Sequence, residues 1–291
     1  MPAPIGSISR TWSWSARNVS PILKTKTQTA RFCFAGLHRS LSDQRRFRRT
    51  VKVVAIVQAR MGSTRLPGKV LRELAGESML ARVVKRLRWA EFVHEVLIAT
   101  TDRPGDDAIV AECRRYSVAV FRGDQDDVLD RYFKAAKSTS AEIVVRITSD
   151  CPLIDPEIID KTIRAFQDMS PDYASNTIVR TFPRGLDTEV VSMAALTRAW
   201  REARRPHERE HVTPYILEHP EDFVLLPVLG DQDYSAYRWT VDVPEDFEFV
   251  QAVYDRLKVK GEFSWREVLD LLGREPELLE LNRCVVQKSV H

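Results

Sequence analysis

The sequence predicts an α/β fold, a mostly parallel sheet covered by helices on both faces, and three observations carry that expectation. From residue 53 onward, short β-branched runs alternate with segments of helical apolar spacing, the pattern that builds parallel sheets through helical crossovers. The first run, Val53-Val54-Ala55-Ile56-Val57, is apolar at every position, as a strand buried on both faces requires. It then gives way to a glycine-punctuated basic loop ending at Lys69, and ligands of such sheets collect at the carboxyl ends of strands.

The elements follow in order. Val53–Val57 cannot continue as a strand, because Pro67 fixes a turn while Gly62 and Gly68 permit backbone angles and close approach denied to other residues. Ser78–Ala90 reads as a helix with Met79, Leu80, Val83, Val84 and Leu87 on one face and most of its cations off it. Val96–Ala99 is the next strand, then come a helix near Asp106–Tyr116, a strand at Val118–Phe121 and a helix at Val128–Lys137. The cluster Asp126, Asp127, Asp130 and Arg131 reads as the start of that helix. A strand at Ile143–Ile147 precedes a helix over Glu157–Gln167. Between them Pro152 disfavours the helical region at Cys151, so Ser149, Asp150 and Cys151 are expected to be extended. The second half mixes a strand at Thr188–Val191, helices at Ala194–Arg204 and Arg209–His219, a strand at Phe223–Pro227 and a helix at Pro244–Leu257. A last helix, Trp265–Leu272, packs back on the body or across a dimer. No internal repeat is present.

At 291 residues, 44% apolar and 29% charged, the chain has ordinary globular composition. Its formal charge of +3 is unevenly spread: residues 1–50 carry ten Lys and Arg against the single acid Asp43, leaving 34 basic and 40 acidic residues in the rest. The body offers no general nucleic-acid footprint, and none is expected as a partner. Organellar transit peptides and basic nucleic-acid arms share the tail's composition. The plainer reading is translated sequence upstream of a native start near Val51, and a disordered basic extension is expected over 1–50 on either view. The cysteines, Cys33, Cys113, Cys151 and Cys284, show no C-x-x-C spacing, so reduced thiols and a cytoplasmic setting fit. No run approaches the roughly 20 apolar residues of a membrane helix.

Arg60, Arg65 and Lys69 bring three cations to one glycine-bearing loop, which suits an anion of high charge density. The Walker pattern fails, since Gly62 and Gly68 are six apart and Val70 follows Lys69; G-x-G-x-x-G is absent as well. A surface turn with three solvated cations is the competing reading. Q-A-R-M-G-S-T-R-L-P-G-K, residues 58–69, resembles the signature loop of the cytidylyltransferases that activate acidic sugars, the acylneuraminate and KDO type. Later blocks resemble the spore coat polysaccharide biosynthesis branch of that family, in order: A-T-T-D from Ala99, F-R-G-D from Phe121, D-V-L-D-R-Y from Asp127 and R-I-T-S-D-C-P-L-I-D-P from Arg146. They continue with P-R-G-L-D-T-E from Pro183, R-E-H-V-T-P-Y from Arg209 and R-W-T-V-D from Arg238. The resemblance covers about Val51 to the C-terminus.

The resemblance implies the three-layer nucleotide-diphospho-sugar transferase fold, with a nucleotide-binding half over about 51–170 and a sugar-binding, dimer-forming part over about 171–291. It implies transfer of CMP from CTP to an acidic sugar, with release of pyrophosphate, to form a CMP-sugar for surface polysaccharide. Ala59, Arg60, Gly62, Ser63, Arg65 and Lys69 would cradle CTP, with Arg122 and Asp124 bordering the base. Asp150 and Asp242 each follow an apolar strand and precede a proline corner, and the family places metal aspartates at both, for Mg²⁺. Helix capping is the competing reading, and it fits Asp155 and Asp246 better. Arg60, Lys69, Asp150 and Asp242 would carry catalysis through positioning and charge stabilisation. For the sugar the resemblance points to Arg184, Asp187, Glu189, Arg209, Glu210 and His211, where ordinary ion pairs compete with a binding role. The preference for cytosine rests on resemblance alone.

One motif points elsewhere. His207-Glu208-Arg209-Glu210-His211 matches H-E-x-x-H, with Glu218 or His219 as third zinc ligand. Its two middle positions are charged where a buried zinc helix is apolar, and Pro206 puts His207 in the first turn. His211 alone is the better candidate. The rival enzyme class is a glycosyltransferase using a ready-made nucleotide-sugar, which has no use for a loop that holds leaving pyrophosphate. A nucleotide-sensing or RNA-binding protein would draw on the basic tail.

Overall fold

The structure, a computed structural model, describes residues 51–258 and 262–287, so the expectation for residues 1–50 lies outside the described residues. Among these, seven strands form one sheet: β1 (Val53–Gln58), β4 (Glu95–Thr101), β5 (Ala119–Gly123), β6 (Ile143–Thr148), β7 (Tyr173–Ser175), β8 (Glu189–Ser192) and β9 (Leu225–Pro227). A two-stranded hairpin, β2 (Glu73–Leu74) and β3 (Glu77–Ser78), stands apart. The sheet order is β5-β4-β1-β6-β8-β7-β9, with β8 antiparallel to both neighbours and every other pair parallel. The expected mostly parallel sheet is what forms.

Its two faces are filled by alternate residues of the same strands, the period of two that a pleated strand imposes. Val53, Ala55 and Val57 enter one core with Val96 and Ile98 of β4, and Val54 and Ile56 enter the other with Leu97 and Ala99. Helices α1 (Met79–Arg88), α2 (Asp107–Arg115) and α4 (Pro156–Met169) supply the first core, through residues such as Leu80, Ile109 and Ile159. Helices α3 (Val128–Ser138), α5 (Met193–Glu202) and α7 (Pro214–Glu218) supply the second, through Leu129, Leu196 and Ile216. The result is three layers. Helices α8 (Pro244–Leu257) and α9 (Trp265–Arg274) close a third cluster with Met79, Leu153 and Trp239.

Local chemistry fixes the helix starts. Ser78, Asp127, Asp155, Ser192 and Ser264 each accept a backbone N–H of the first turn, which satisfies a donor the helix itself leaves unpaired. Two expectations need correction. The helix expected over Arg209–His219 is two short ones, α6 (Pro206–His211) and α7, parted at Val212, where φ is +75°. Ser149 and Asp150 are not extended: the chain turns there, and the Cys151 N–H donates to Thr148 O at 3.4 Å.

From β1 the chain crosses to β4 and on to β5, then returns through α3 to β6 on the other side of β1. The reversal leaves a crevice beyond the carboxyl ends of β1 and β6, where loops cannot cover both sides at once.

Candidate active site

That crevice is a cavity of about 310 Å³. Gln58, Ala59 and Arg60 reach it from the end of β1, Thr148, Ser149 and Asp150 from the end of β6, and Lys69 and Asp242 from loops. The basic loop is held in shape by its backbone. Ser63 and Gly68 N–H groups both donate to Met61 O, at 2.9 and 3.1 Å, and the Met61 N–H donates to Asp106 Oδ1 at 2.8 Å. Gly68 has φ +69°, a left-handed angle that costs a glycine little, and it launches the single 3-10 turn Lys69–Leu71. Gly62 does not have that role: its φ is not positive, and a Cβ there would meet nothing within 4 Å.

Asp150 and Asp242, 92 residues apart, are brought together by the backbone. The Val241 N–H donates to Asp150 O at 2.8 Å and the Thr240 hydroxyl to the same oxygen at 3.2 Å, so the segment carrying Asp242 runs against the β6 turn. Between the carboxylates sits the Lys69 ammonium, 3.2 Å from Asp150 Oδ2, 3.0 Å from Asp242 Oδ1 and 2.7 Å from Val241 O. Burial opposes the charged ammonium, yet Asp150 and Asp242 outweigh it and raise the Lys69 pKa above its ordinary value. Burial likewise opposes the charged form of Asp242, but Lys69, Arg65 and Arg238 hold its carboxyl below the usual carboxylate range. Arg65 lies 3.1 Å from Asp242 Oδ1, and Arg238 Nη2 donates to Oδ2 at 3.0 Å.

Arg238 was not singled out in the sequence. It is gripped in turn by Asp246, 0% exposed, through Nε and Nη2 at 2.8 Å each. Asp246 and Asp155 are helix-start carboxylates as expected, Asp246 accepting from the Asp242 and Val243 N–H groups and Asp155 from Glu157. The other unforeseen residue is Arg131, 2% exposed in the cavity wall, which donates to Asp124 O and whose Nε is buried with no partner. Its position four residues after the aspartate that leads D-V-L-D-R-Y was read as a helix start; only the fold turns it inward.

Among the described residues Arg60 is exposed and has no ion pair, so a cation of the loop faces the cavity free. Ser63 Oγ accepts from the Leu66 N–H at 3.3 Å while lining the same cavity. His211 and Glu210 line it from α6; burial lowers the His211 pKa, so its imidazole is held neutral to lower pH. The remaining expected residues lie elsewhere. Arg122 does not line the cavity, and its guanidinium binds Asp107, Thr101 O and Arg103 O at the end of the sheet. Asp124 accepts the N–H groups of Asp126 and Asp127 and borders a neighbouring hollow shared with Arg60. Asp187 is held by Arg180 through both oxygens, at 2.6 and 2.9 Å. Arg209 pairs with Asp127 and donates to Trp200 O at 2.8 Å. Glu189 is buried and serves Arg146, the Tyr173 hydroxyl at 2.8 Å and the Thr213 hydroxyl at 2.7 Å. Arg184, half-buried, stands near Asp242 and makes no ion pair among the described residues; burial first, then Arg180, lowers its pKa.

The H-E-x-x-H segment does not converge on a metal. His207 binds Glu218 Oε1 at 2.9 Å, Glu208 accepts the N–H groups of Arg204 and Arg205 at 2.8 Å each, and His211 faces the cavity instead. His207, Glu208 and Glu218 do lie close together, but Arg205 neutralises both carboxylates. The described cysteines are free, and no helix among the described residues is long and apolar enough to cross a membrane.

Two carboxylates converging on one cation supply the hard oxygen donors a divalent ion takes, and the ammonium between them marks a place already shaped for positive charge. A sequence profile of the family described as cytidylyltransferase matches residues 54–267. The spore coat polysaccharide biosynthesis protein SpsF of Bacillus subtilis is 37% identical over 232 residues, 77% of this chain and 95% of that protein. A 3-deoxy-manno-octulosonate cytidylyltransferase of Geobacter sulfurreducens is 37% identical over 115 residues, 39% of this chain and 44% of its own length. Among solved structures, a cytidylyltransferase from Leptospira borgpetersenii superposes with a TM-score of 0.77 at 34% identity, covering 81% of this chain and all of that one. A chain with this fold, this cavity and these relatives belongs to the cytidylyltransferase family.

Proposed function

We propose that the enzyme transfers CMP from CTP to an acidic sugar, for surface polysaccharide, with Mg²⁺ as its metal. The observation that carries the reading is the Lys69 ammonium held between Asp150 and Asp242 at the end of a loop whose Arg60 has no ion pair among the described residues. Arg60, Lys69 and, in support, Arg65 would bind the β- and γ-phosphates, where charge grows as pyrophosphate leaves. The residues fit a divalent ion: Asp150 and Asp242 would hold it, and when bound it supplies Lewis-acid stabilisation and acidifies the attacking hydroxyl. Lys69 would move from the carboxylates to the triphosphate, and Arg238 would keep Asp242 aimed into the cavity. Arg131 in the wall, with Gln58 and Thr148, lies where a base could rest. His211, Glu210 and Arg184 remain available to the acceptor, and Arg184 suits a sugar carboxylate because a guanidinium can hold both oxygens.

Thermal unfolding with CTP, UTP, ATP and GTP, each with and without Mg²⁺, tests the nucleotide. A ligand at a hundred times its Kd adds about 2.7 kcal/mol, and that gain is expected with CTP and Mg²⁺ and absent in Lys69→Ala. Turnover in Lys69→Ala should fall about 100-fold or more. A Lys69→Ala chain that still binds CTP, or a parent that responds only to nucleotide-sugars, promotes the glycosyltransferase reading. A cytoplasmic homodimer belongs to the same proposal, supported by the edge strand β9 with exposed Val224 and Leu229 beside it. A monomer in sedimentation velocity would overturn that part.

A further inference from the structure

We propose that Asn282 is a positioning residue for Asp242, acting from a C-terminal segment beyond the 54–267 region matched by the family. The inference rests on the reading of Asp242 as a metal ligand. Its ground is a relay of hydrogen bonds. Asn282 Nδ2 donates to Arg238 O at 2.9 Å and to Asp246 Oδ1 at 3.1 Å. Asp246 holds the Arg238 guanidinium through two oxygens, and Arg238 Nη2 holds Asp242 Oδ2. Asp242 Oδ1, the oxygen left facing Lys69 and Arg65, is therefore selected by a chain that begins at Asn282.

Each link is restricted. Asp246 is fully buried, and Asn282 is 7% exposed, so water does not readily replace a lost partner. A guanidinium fork on a carboxylate fixes direction as well as distance. The segment itself is anchored: a 3-10 stretch, Pro276–Leu281, buries Leu278 in the third hydrophobic cluster and delivers Asn282 at its end. Gln287 Oε1 accepts from Arg238 Nη1, so the same segment touches Arg238 twice, at its backbone carbonyl and at its guanidinium. Without the Asn282 amide, Asp246 Oδ1 and the Arg238 carbonyl each lose a donor, Arg238 gains freedom, and Asp242 can rotate. Outer partners of this kind typically shift metal affinity by about 10- to 100-fold.

Mn²⁺ is the probe, with free ion counted by electron paramagnetic resonance in the presence of CTP, on the full chain and on Asn282→Ala, Arg238→Lys and Asp242→Asn. Asn282→Ala is expected to weaken Mn²⁺ binding about 10-fold and to lower kcat, while leaving KM for the acceptor and metal-free CTP binding as in the parent. A purely structural role would lower the melting temperature and leave the Mn²⁺ affinity of the folded chain alone. Parent-like Mn²⁺ affinity in folded Asn282→Ala, alongside a loss in Asp242→Asn, overturns the relay. Parent-like affinity in Asp242→Asn overturns the metal-ligand reading itself. If Asn282→Ala fails to fold, Arg238→Lys interrupts the middle of the relay, since an ammonium cannot fork between Asp242 and Asp246. Parent-like Mn²⁺ affinity there overturns the proposal, and a loss of about 10-fold supports it.

Discussion

At Gly185 two backbone segments come close together. With φ +110°, the residue lies so near the next segment that an added Cβ would fall 2.6 Å from Thr240 N and from Trp239 C. The approach lets the Pro183-Arg184-Gly185 block run beside Tyr237–Trp239, where the Arg184 N–H donates to Tyr237 O at 3.0 Å and the Trp239 N–H to Arg184 O at 2.6 Å. Gly185→Ala should therefore cost about 3 kcal/mol or more in urea unfolding, through strain and overpacking together. Gly62→Ala should stay within about 0.5 kcal/mol, since its φ is ordinary and the space is open. Sequence reading weighted these two glycines the other way. It saw Gly62 because the basic loop drew attention, and it read P-R-G-L-D-T-E for its charges. The aspartates before proline were easier: Asp155 and Asp246 carry a local capping signal that needs no fold. Arg131 and Arg238 carry none: their partners lie near in sequence, Asp124 seven residues before Arg131 and Asp242 and Asp246 four and eight after Arg238, but no regular element spacing marks these pairs before the loops are folded.

Among the elements, the longer helices were the most legible. α1, α3, α4 and α8 show an apolar face over ten or more residues, whereas β7 has three residues and the hairpin strands two each, too few for alternation to register. The break between α6 and α7 has a different cause. Val212 adopts φ +75° and ψ −54°, and the Thr213 N–H donates to His211 O at 2.9 Å, the classic γ-turn geometry that β-branched residues rarely adopt. Burial of Val212 in the second core and the Thr213 hydroxyl on Glu189 hold it there. Glu189 joins this turn to β6 through Arg146 and to β7 through Tyr173, so it acts as a structural hub. Glu189→Ala leaves the Arg146 guanidinium without its carboxylate. A loss of about 3–5 kcal/mol in chemical denaturation is expected, with the acceptor KM of the surviving folded protein unchanged. A raised acceptor KM without loss of stability would return Glu189 to the sugar site.

For the molecule as a whole, topology does what no single residue could: the reversal between β4 and β6 on either side of β1 opens the crevice, and strands from both halves of the sequence share one sheet. That much was legible, because buried parallel strands announce themselves by unbroken apolar runs. The juxtaposition of Asp150 with Asp242 was legible only as a pair of similar motifs. Their shared lysine sets a pH window. The folded pKa of Asp242 is depressed, so its contribution is present above the ordinary carboxylate value of about 4 and is lost as pH falls through the lower folded value. The folded pKa of Lys69 is raised, so its contribution is full below about 10.4 and is lost as pH rises through the higher folded value. Lys69→Met should flatten both limbs of the stability profile measured by denaturant unfolding across pH. The same lysine makes the resting cleft its own counter-ion store. Nucleotide that draws the ammonium away uncovers two anions side by side, and a divalent ion that arrives alone must displace a tethered charge already in place. On the proposed function each guest would thus be received at a disadvantage without the other, and triphosphate and metal would enter as a couple.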